Sequence, residues 1–446
     1  MKELEPSTTL SSFIDFGALS GREITLTGQL QNIQELAWGG FIHLRLPNYV
    51  IQCVVDREKS GCTLEGLRVE SAVRIRGMVA AASVKNPNLH PRNVEIQVLS
   101  MELLSSPSAP ELPVDVSKKT LNCDLDTKFN YRPLTLRHPA QRAIFRISSC
   151  IYNEFGRFLD GIGFTRICSP KIVSAGAEGG ANLFRMSYFN RDAYLAQSPQ
   201  FYKQMMVGVF GRVYEEAPVF RAEEHNTSRH LNEYISLDFE MVLENGFEDI
   251  IRVEAAALNH IFSKIRETCG PEIGALGIEE IPSIEKIITV KFREVHETVF
   301  RETGRDFRDQ DDLDPEEERF ICEYAKKQRG SDFIFVTHYP GSKRPFYALD
   351  DPANPGETLS FDLLFRGVEI TTGGERLHVY DDYVKKMEER GMNTGSFESY
   401  LQIFRYGMPP HGGLGLGLER LTARLCGLSN VKEASLFPRD MHRLEP

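Results

Sequence analysis

The sequence lacks the features that would tie it to a membrane, a metal knuckle or an export route. No apolar run approaches the roughly 20 residues that span a bilayer. The first residues, MKELEPSTTLSSF, show neither an apolar signal core nor an arginine-rich transit pattern. The eight cysteines include no C-x-x-C pair, which argues against a zinc or dithiol redox centre. We therefore expect a cytoplasmic protein with no membrane partner and reduced, mostly buried cysteines.

Positive charge is also scarce. The chain has 52 Lys and Arg against 63 Asp and Glu, a net charge of −11. Phosphate contacts need cations, so this balance weighs against a nucleic-acid partner. Net charge, however, describes solubility and long-range steering rather than any single face. Neither a G-x-x-x-x-G-K loop nor a dinucleotide-binding glycine fingerprint occurs, which excludes two common nucleotide-binding loops.

Five strand-like segments fill the N-terminal part of the chain. A helical stretch near Thr63–Val69 is expected after the third of them. This order predicts a five-stranded Greek-key β-barrel of the OB-fold type, although pattern alone leaves another small barrel open. The five segments are Arg22–Gln31, Gly40–Leu46, Tyr49–Val55, Ala72–Ala80 and Val94–Leu99.

A Pro- and Ser-rich break, SSPSAPELP at 105–113, separates this barrel from the rest. We predict a barrel domain at 1–104, a linker at 105–130 and a second domain at 131–446. The second domain opens with an amphipathic helix, in which apolar residues recur at helical spacing from Ile144 to Phe158. The acidic run Asp309–Glu318 is expected to be a solvated loop and helix start rather than a metal site.

Strands and helices alternate through the second domain, which predicts an α+β fold with an antiparallel sheet flanked by helices. The predicted strands are Val213–Ala222, Glu233–Leu243, Phe333–Thr337, Leu359–Phe365 and Gly413–Gly417. The predicted helices are Phe247–Glu267, Phe292–Thr303, Val379–Arg390 and Leu418–Leu425.

Two segments of this domain carry chemistry. In Val219–Tyr234 (VFRAEEHNTSRHLNEY), two strand-like runs flank a polar loop rich in arginine and histidine. Arginine presents a planar fork of donors to phosphate oxygens, so the loop suits a polyphosphate. In Gly412–Leu421 (GGLGLGLERL), glycine alternates with leucine before a predicted helix, and Arg420 lies near the start of that helix. Either segment alone could be ordinary surface or packing, and the combination is far more specific.

Together with Pro170, which stops a strand, these segments resemble the three signature motifs of class II aminoacyl-tRNA synthetases. The resemblance covers nearly the whole chain. An N-terminal barrel before the catalytic domain is typical of the subclass for aspartate, asparagine and lysine, in its compact archaeal and eukaryotic-like form. The resemblance implies an ATP-dependent ligase that uses Mg2+ and a transfer RNA. It also implies a homodimer whose interface involves the segment ending at Pro170.

The amino-acid pocket of this family is suggested by Gln197–Gln204 (QSPQFYKQ) and by the stretch that ends at Arg376. Two cations in a dry pocket demand an anion, because an unpaired buried charge costs roughly 3–5 kcal/mol. That favours L-aspartate over asparagine, and asparagine enzymes lack the lysine at Lys203. The resemblance implies aspartate contacts from Glu178, Ser198, Gln200, Lys203, Arg221, Asp238, Thr372 and Arg376.

The same resemblance implies a nucleotide site with Arg221 and Arg420 as its catalytic cations. Its ATP contacts would be Arg221, Ala222, Glu223, His225, Arg229, His230, Leu231, Tyr234, Glu369, Gly417, Leu418, Glu419 and Arg420. Carboxylate and hydroxyl oxygens are the ligands that Mg2+ prefers. The implied metal ligands are Asp362, Glu369 and Thr372.

On the barrel, Phe41 and Gln52 match the family's pair that stacks on and hydrogen-bonds the central anticodon base. Gln29 stands where related proteins usually have tryptophan, which leaves open whether tRNA(Asn) is charged beside tRNA(Asp). Three alternatives also stay open. They are an asparagine enzyme, a paralogue that makes aspartyl-adenylate for amide synthesis without transfer RNA, and a pure RNA-binding module.

Overall fold

The computed structural model describes residues 15–86, 89–174, 176, 183–224 and 226–446. Contacts divide the chain into two units, one ending at His138 and one beginning at Pro139. Each unit has its own buried core. Among the described residues, no helix is both long enough and apolar enough to cross a membrane.

The first unit is built on a closed barrel. Its strands are β1 (Glu23–Leu36), β2 (Gly39–Arg45), β3 (Val50–Asp56), β4 (Ala72–Ala81) and β5 (Val94–Ser105). They close in the order β1-β2-β3-β5-β4, and β3 and β5 run parallel. Side chains alternate between the two faces of β2: Ile42 and Leu44 are fully buried, whereas the alternate residues Phe41 and His43 are half-buried and point outward. The predicted five-stranded OB-fold barrel is confirmed.

The short helix after the third strand lies earlier than predicted. Helix α1 spans Arg57–Ser60, is capped by the Asp56 carboxylate and ends at Gly61 with φ 67°. The predicted helical stretch Thr63–Val69 is wrong. Gly66 interrupts it at φ 78°, in the left-handed region, so the segment forms turns. Two further helices complete the first unit, α2 (Leu125–Asn130) and α3 (Arg132–Thr135).

The described residues of the second unit form two sheets. Its strands are β6 (Thr165–Arg166), β7 (Ile172–Val173), β8 (Arg185–Tyr188), β9 (Arg191–Leu195), β10 (Arg212–Phe220), β11 (Glu233–Val242), β12 (Thr289–Lys291), β13 (Phe333–Thr337), β14 (Ser360–Phe365), β15 (Val368–Arg376) and β16 (His411–Gly417). The large sheet has the order β12-β13-β14-β15-β16-β11-β10-β6, and β7-β9-β8 form a small one. Only the edge strands β6 and β12 run parallel to their neighbours in the large sheet.

Helices flank this sheet, as the predicted α+β class requires. They are α4 (Pro139–Gly161), α5 (Gln200–Phe210), α6 (Glu248–Thr268), α7 (Gly270–Leu276), α8 (Phe292–Thr303), α9 (Pro315–Arg329), α10 (Tyr380–Glu389), α11 (Glu398–Arg405) and α12 (Leu418–Leu425), with 3₁₀ helices at Thr394–Phe397 and Val431–Ala434. The acidic run Asp309–Glu318 does start a helix, but the prediction that the run is solvent-exposed is wrong at its C-terminal end. Glu317 and Glu318 are buried because Glu317 contacts His296 and Glu318 contacts Arg229.

The alternation of glycine and leucine in β16 decides which face of the sheet carries the site. Leu414 and Leu416 pack into the main core with residues of α4, α6 and α12. The glycines between and beside them face the other side. A Cβ atom on Gly413 would stand 2.1 Å from the carbonyl oxygen of Phe239, so no other residue fits there. The bare glycine face leaves room for a cavity.

Candidate active site

A cavity of about 590 Å³ lies on this glycine-bearing face of the sheet. The predicted site residues that line it are Ser198, Gln200, Lys203, Arg221, Glu223, Arg229, His230, Leu231, Tyr234, Asp238, Glu369, Thr372, Arg376, Gly417, Glu419 and Arg420. They come from α5 and the turn before it, from β11, β15, β16 and α12, and from the loop between β10 and β11. The fold therefore brings to one cavity residues that lie more than two hundred positions apart in the sequence, such as Ser198 and Arg420.

Five residues predicted for the aspartate, ATP and metal sites are not among the lining residues. Ala222 and Asp362 stand beside lining residues, and the side chain of Leu418 packs in the core instead. Glu178 and His225 lie outside the described residues.

Four charged side chains meet at one end of the cavity. Lys203 Nζ donates to Asp238 Oδ1 at 2.8 Å and lies 3.2 Å from Glu240 Oε2. Arg376 Nε donates to the other oxygen of Glu240, also at 2.8 Å. Backbone carbonyls of β16 accept one further bond from each cation. All four side chains are at least nine-tenths buried, so the two cations share one carboxylate in a sheltered place.

This cluster differs from the expected pair of unpaired cations, Lys203 and Arg376. Asp238 and Glu240 already balance the formal charges of Lys203 and Arg376. Burial would raise the pKa of Glu240, but Arg376 and then Lys203 outweigh it and hold that pKa below its usual range. Asp238 Oδ2 is buried and has no hydrogen-bond partner among the described residues. A ligand that carries an ammonium beside a carboxylate would satisfy both the open oxygen and the cations.

A buried polar network supports the helix that carries the lysine. Gln204 donates to the Tyr383 hydroxyl and to His411 Nε2, at 3.1 and 2.9 Å. Its carbonyl oxygen accepts from Gln200 and from the Tyr400 hydroxyl, both at 2.9 Å. Burial lowers the pKa of His411 to about 4, so its ring stays neutral and can accept from the amide. A fully bonded network of this kind fixes side-chain positions at the cavity wall.

The other end of the cavity is rich in arginine. Arg221 begins the loop after β10, and Arg229 follows eight residues later with its Nη2 on the Glu318 carboxylate. Arg420, in the first turn of α12, donates to the Glu369 carbonyl oxygen at 2.9 Å and lies 3.2 Å from the Glu369 carboxylate. Three guanidinium groups from two distant segments thus converge on one region, as a polyphosphate would require.

The C-terminal segment holds the arginine-bearing loop. The N–H of Val431 donates to the Ser228 carbonyl, and the N–H of Asn232 donates to the Arg439 carbonyl, both at 2.9 Å. Val431 itself lines the cavity. The loop is therefore bound to the C-terminal segment on both sides of Arg229, and Arg221 and Arg229 line the cavity.

Two carboxylates on neighbouring strands border the arginines. Arg344 Nη2 lies 2.8 Å from Asp362 Oδ1, and the Thr372 hydroxyl donates to Glu369 Oε1 at 3.1 Å. Burial raises the pKa of Asp362, and the Arg344 guanidinium only partly opposes this. Burial also acts on Glu369, but Arg420 and Arg344 hold its pKa below its usual range. These two carboxylates therefore differ in their affinity for protons.

The oxygen donors of Asp362, Glu369 and Thr372 fit magnesium better than a metal whose ligands all come from the protein. Among the described residues, no group of three or more His, Cys, Asp or Glu side chains could hold a metal ion. Two carboxylates and a hydroxyl are nevertheless hard ligands of the kind that magnesium takes. Magnesium commonly keeps water and phosphate oxygens in its remaining positions, so this set fits a metal that arrives with a nucleotide.

Glu240, Arg344 and Glu318 form ion pairs with predicted site residues but were not themselves predicted. Glu240 lies two positions after Asp238 on β11, and the period-two rule would have placed it on the same face. Arg344 belongs to an irregular stretch without periodicity, which gave no signal. Glu318 was assigned with its acidic neighbours to solvent. Only the first of these could have been found from local pattern.

The barrel of the first unit presents an aromatic pair on its outer face. Strands β2 and β3 pair Phe41 with Val54 and His43 with Gln52, so Phe41 and Gln52 emerge on the same face from adjacent strands. The Trp38 ring lies edge-to-face with Phe41, with ring centres 5.5 Å apart, and is 45% exposed. An exposed aromatic surface of this kind can stack on an unpaired base.

These features define a class of protein. Residues 124–441 match the family model described as tRNA synthetases class II (D, K and N). The match covers more than half of the chain, so the chain belongs to this family, and the family predicted from the sequence motifs is confirmed. Enzymes of the family use ATP.

Relatives narrow the comparison within the family. The chain is 46% identical over 419 residues to the Aspartate--tRNA(Asp/Asn) ligase of Thermus thermophilus, covering 93% of this chain and 97% of that protein. The ligase of the same name from Deinococcus radiodurans is 43% identical over 437 residues, covering 95% and 98%.

A solved structure titled asparaginyl-tRNA synthetase from Pyrococcus horikoshii, complexed with asparaginyl-adenylate, matches with a TM-score of 0.87 at 28% identity. That match covers 96% of this chain and 97% of that one. The aspartyl tRNA synthetase from Entamoeba histolytica gives 0.86 at 28% identity, covering 100% and 96%.

Proposed function

We propose that this chain is an aspartate–tRNA ligase. It activates L-aspartate with ATP as aspartyl-adenylate and transfers the aspartyl group to tRNA(Asp). Relatives named for both acceptors support tRNA(Asn) as its second acceptor. The observation that carries this proposal is the buried cluster of Lys203, Arg376, Asp238 and Glu240, which shares one cavity with the arginines of the phosphate end.

The cluster selects a four-carbon diacid. Lys203 and Arg376 bind the side-chain carboxylate, and the open Oδ2 of Asp238 accepts from the ammonium, with Gln200 beside it. Asparagine would turn the N–H donors of its amide toward Lys203 and Arg376, which are themselves donors, so hydrogen bonds that a carboxylate accepts would be lost. The family resemblance adds Glu178, Ser198 and Thr372 to this set.

The nucleotide lies at the arginine end. Arg221 stabilises charge on the α-phosphate, while Arg229, His225, His230 and Arg420 hold the β- and γ-phosphates. Tyr234 stacks on adenine. The backbone and side chains of Ala222, Glu223, Leu231, Gly417, Leu418 and Glu419 shape the remainder of the site.

Mg2+ that arrives with the nucleotide would be held by Asp362, Glu369 and Thr372, and it supplies positive charge to the phosphate oxygens. The donor set described above is the support for this assignment.

The reaction needs no nucleophile from the enzyme. An oxygen of the aspartate α-carboxylate attacks the α-phosphorus in line, forms the mixed anhydride and expels pyrophosphate. A terminal ribose hydroxyl of the transfer RNA then attacks the carbonyl carbon of the adenylate, forms the ester, loses its proton and expels AMP. The chain contributes positioning and a fixed positive field at the phosphorus.

Two further assignments follow the resemblance. The enzyme is a homodimer, with the segment before Pro170 at its interface. It works in the cytoplasm, an assignment supported by eight free thiols, which suit a reducing compartment.

The test is to charge purified tRNA(Asp) and tRNA(Asn) with labelled aspartate, and separately with labelled asparagine. We expect aspartate to be esterified to both transfer RNAs and asparagine to neither. Aspartate-dependent pyrophosphate exchange without any charging would show the amide-forming alternative instead. Charging with asparagine would show that the cluster does not select a diacid.

The barrel offers an independent prediction, because the only tryptophan of the chain lies against Phe41. Adding tRNA(Asp) is expected to change Trp38 fluorescence as a base stacks nearby. Phe41→Ala should weaken tRNA binding by about 1–3 kcal/mol, the usual value of one stacked base. Fluorescence titration measures both effects, and His43→Ala on the same face is the matched control. An unchanged affinity in Phe41→Ala would place the anticodon elsewhere.

A further inference from the structure

Glu318 is a buried carboxylate at the phosphate end of the cavity. It lies in the first turn of α9, which is fixed by its Asp314 cap and by a 2.7 Å contact between Glu317 and His296. The Glu318 side chain is only 9% exposed. Its position is therefore set by a rigid helix start rather than by a mobile loop.

The Glu318 carboxylate joins two sides of the phosphate end. Its Oε2 accepts from Arg229 Nη2, on the loop between β10 and β11, and from the N–H of Glu369 on β15 at 3.3 Å. Within the described part of the chain, Glu318 is the only carboxylate that forms an ion pair with Arg229. Arg229 lines the cavity, whereas its partner Glu318 does not. Glu318 therefore binds Arg229 from outside the cavity lining.

We propose that Glu318 is a positioning residue for nucleotide binding, which fixes the Arg229 guanidinium by one edge so that its other N–H donors face the polyphosphate. A long, free side chain loses conformational freedom when it binds a phosphate. A carboxylate that orders it beforehand removes part of that cost, as partners behind metal ligands do. This inference rests on the proposed ATP site and adds the residue that orders one of its cations.

An opposite effect competes with this one. A carboxylate near a polyphosphate repels it and neutralises an arginine that could otherwise bind. The geometry favours ordering, because Nη2 is the Arg229 donor that bonds to Glu318, which leaves Nε and Nη1 to donate to phosphate oxygens. The two readings predict opposite changes in ATP affinity, so one measurement separates them.

The experiment is a double-mutant cycle on ATP binding, measured by calorimetry with the full-length chain in the absence of aspartate. Glu318→Ala is expected to raise the dissociation constant of ATP about tenfold, the loss of one charge-assisted hydrogen bond. Glu318→Gln keeps the size and one acceptor, so it should fall between Glu318→Ala and the wild type. In an Arg229→Ala background, Glu318→Ala should cause no further loss.

Glu316→Ala is the matched control, since Glu316 lies in the same helix turn, is about half exposed and pairs with Arg305. It should bind ATP as the wild type does. In exchange assays Glu318→Ala should raise the KM for ATP without raising the KM for aspartate. Unchanged or tighter ATP binding in the folded Glu318 variants, or additive losses in the cycle, would overturn the proposal. Because the cycle uses ATP alone, it remains informative even if the wild type activates another amino acid.

Discussion

Arg221→Ala is expected to abolish aspartate-dependent ATP–pyrophosphate exchange, with a loss in kcat of about 10²–10³ or more. The Arg221 guanidinium, at the start of the loop after β10, lines the same cavity as the amino-acid cluster and the other arginines. Charge develops on the α-phosphate as the carboxylate attacks it. A fixed cation at that point stabilises the transition state more than the ground state, so kcat should fall more than the KM for ATP rises.

Two variants sharpen this prediction. Arg221→Lys keeps the charge but loses the planar fork, so we expect it to recover only part of the activity. Arg212→Ala removes an exposed arginine at the opposite end of the same strand and should leave exchange intact. Stopped-flow measurement of adenylate formation would separate chemistry from binding. Near-normal exchange in Arg221→Ala would refute the role of this residue.

The sequence predicted best those helices and strands whose apolar spacing and end residues are distinctive. Helix Phe292–Thr303 and strand Phe333–Thr337 agree with the structure to the residue, because their apolar spacing and end signals are clear. The stretch Thr63–Val69 failed because Gly66 adopts a left-handed conformation that a helix cannot include. A single residue with positive φ was enough to overturn a plausible helical composition.

The sequence predicted which residues form the candidate site better than it predicted how their charges are paired. Motifs supplied Lys203 and Arg376, but no motif states which carboxylate lies between them. Glu240 does, and it changes the cluster from two unpaired cations into a balanced group of four charges. Glu318 pairs with Arg229 across 89 positions of sequence, a distance over which periodicity gives no information. Pairings of this kind are set by the packing of helices on the sheet.

The net charge of the whole chain is likewise a poor guide to the charge at the site. A net charge of −11 weighs against an RNA partner, yet three arginines converge on one end of a cavity. Binding of a polyphosphate depends on the local field, which the sum over all residues does not describe.

Lys203→Met is expected to lower kcat/KM for aspartate by about hundredfold or more, and to destabilise the fold. The lysine is 1% exposed and is the cation between Asp238 and Glu240. Removing one partner of a buried ion pair costs roughly 3–5 kcal/mol, because the remaining charges stay buried. The second unit should therefore unfold at a lower temperature, and the residual folded enzyme should no longer saturate with aspartate.

Loss of stability and loss of recognition can be separated with a second change. Lys203→Met combined with Glu240→Gln removes one positive and one negative charge, so the cluster stays neutral and much of the lost stability should return. Aspartate-dependent exchange should stay at least about a hundredfold below that of the wild type, since the side-chain carboxylate still lacks its lysine. Thermal unfolding and exchange kinetics on the same samples give both quantities. If exchange returned together with stability, Lys203 would be a structural residue, and the selection of a diacid would have to come from Arg376 alone.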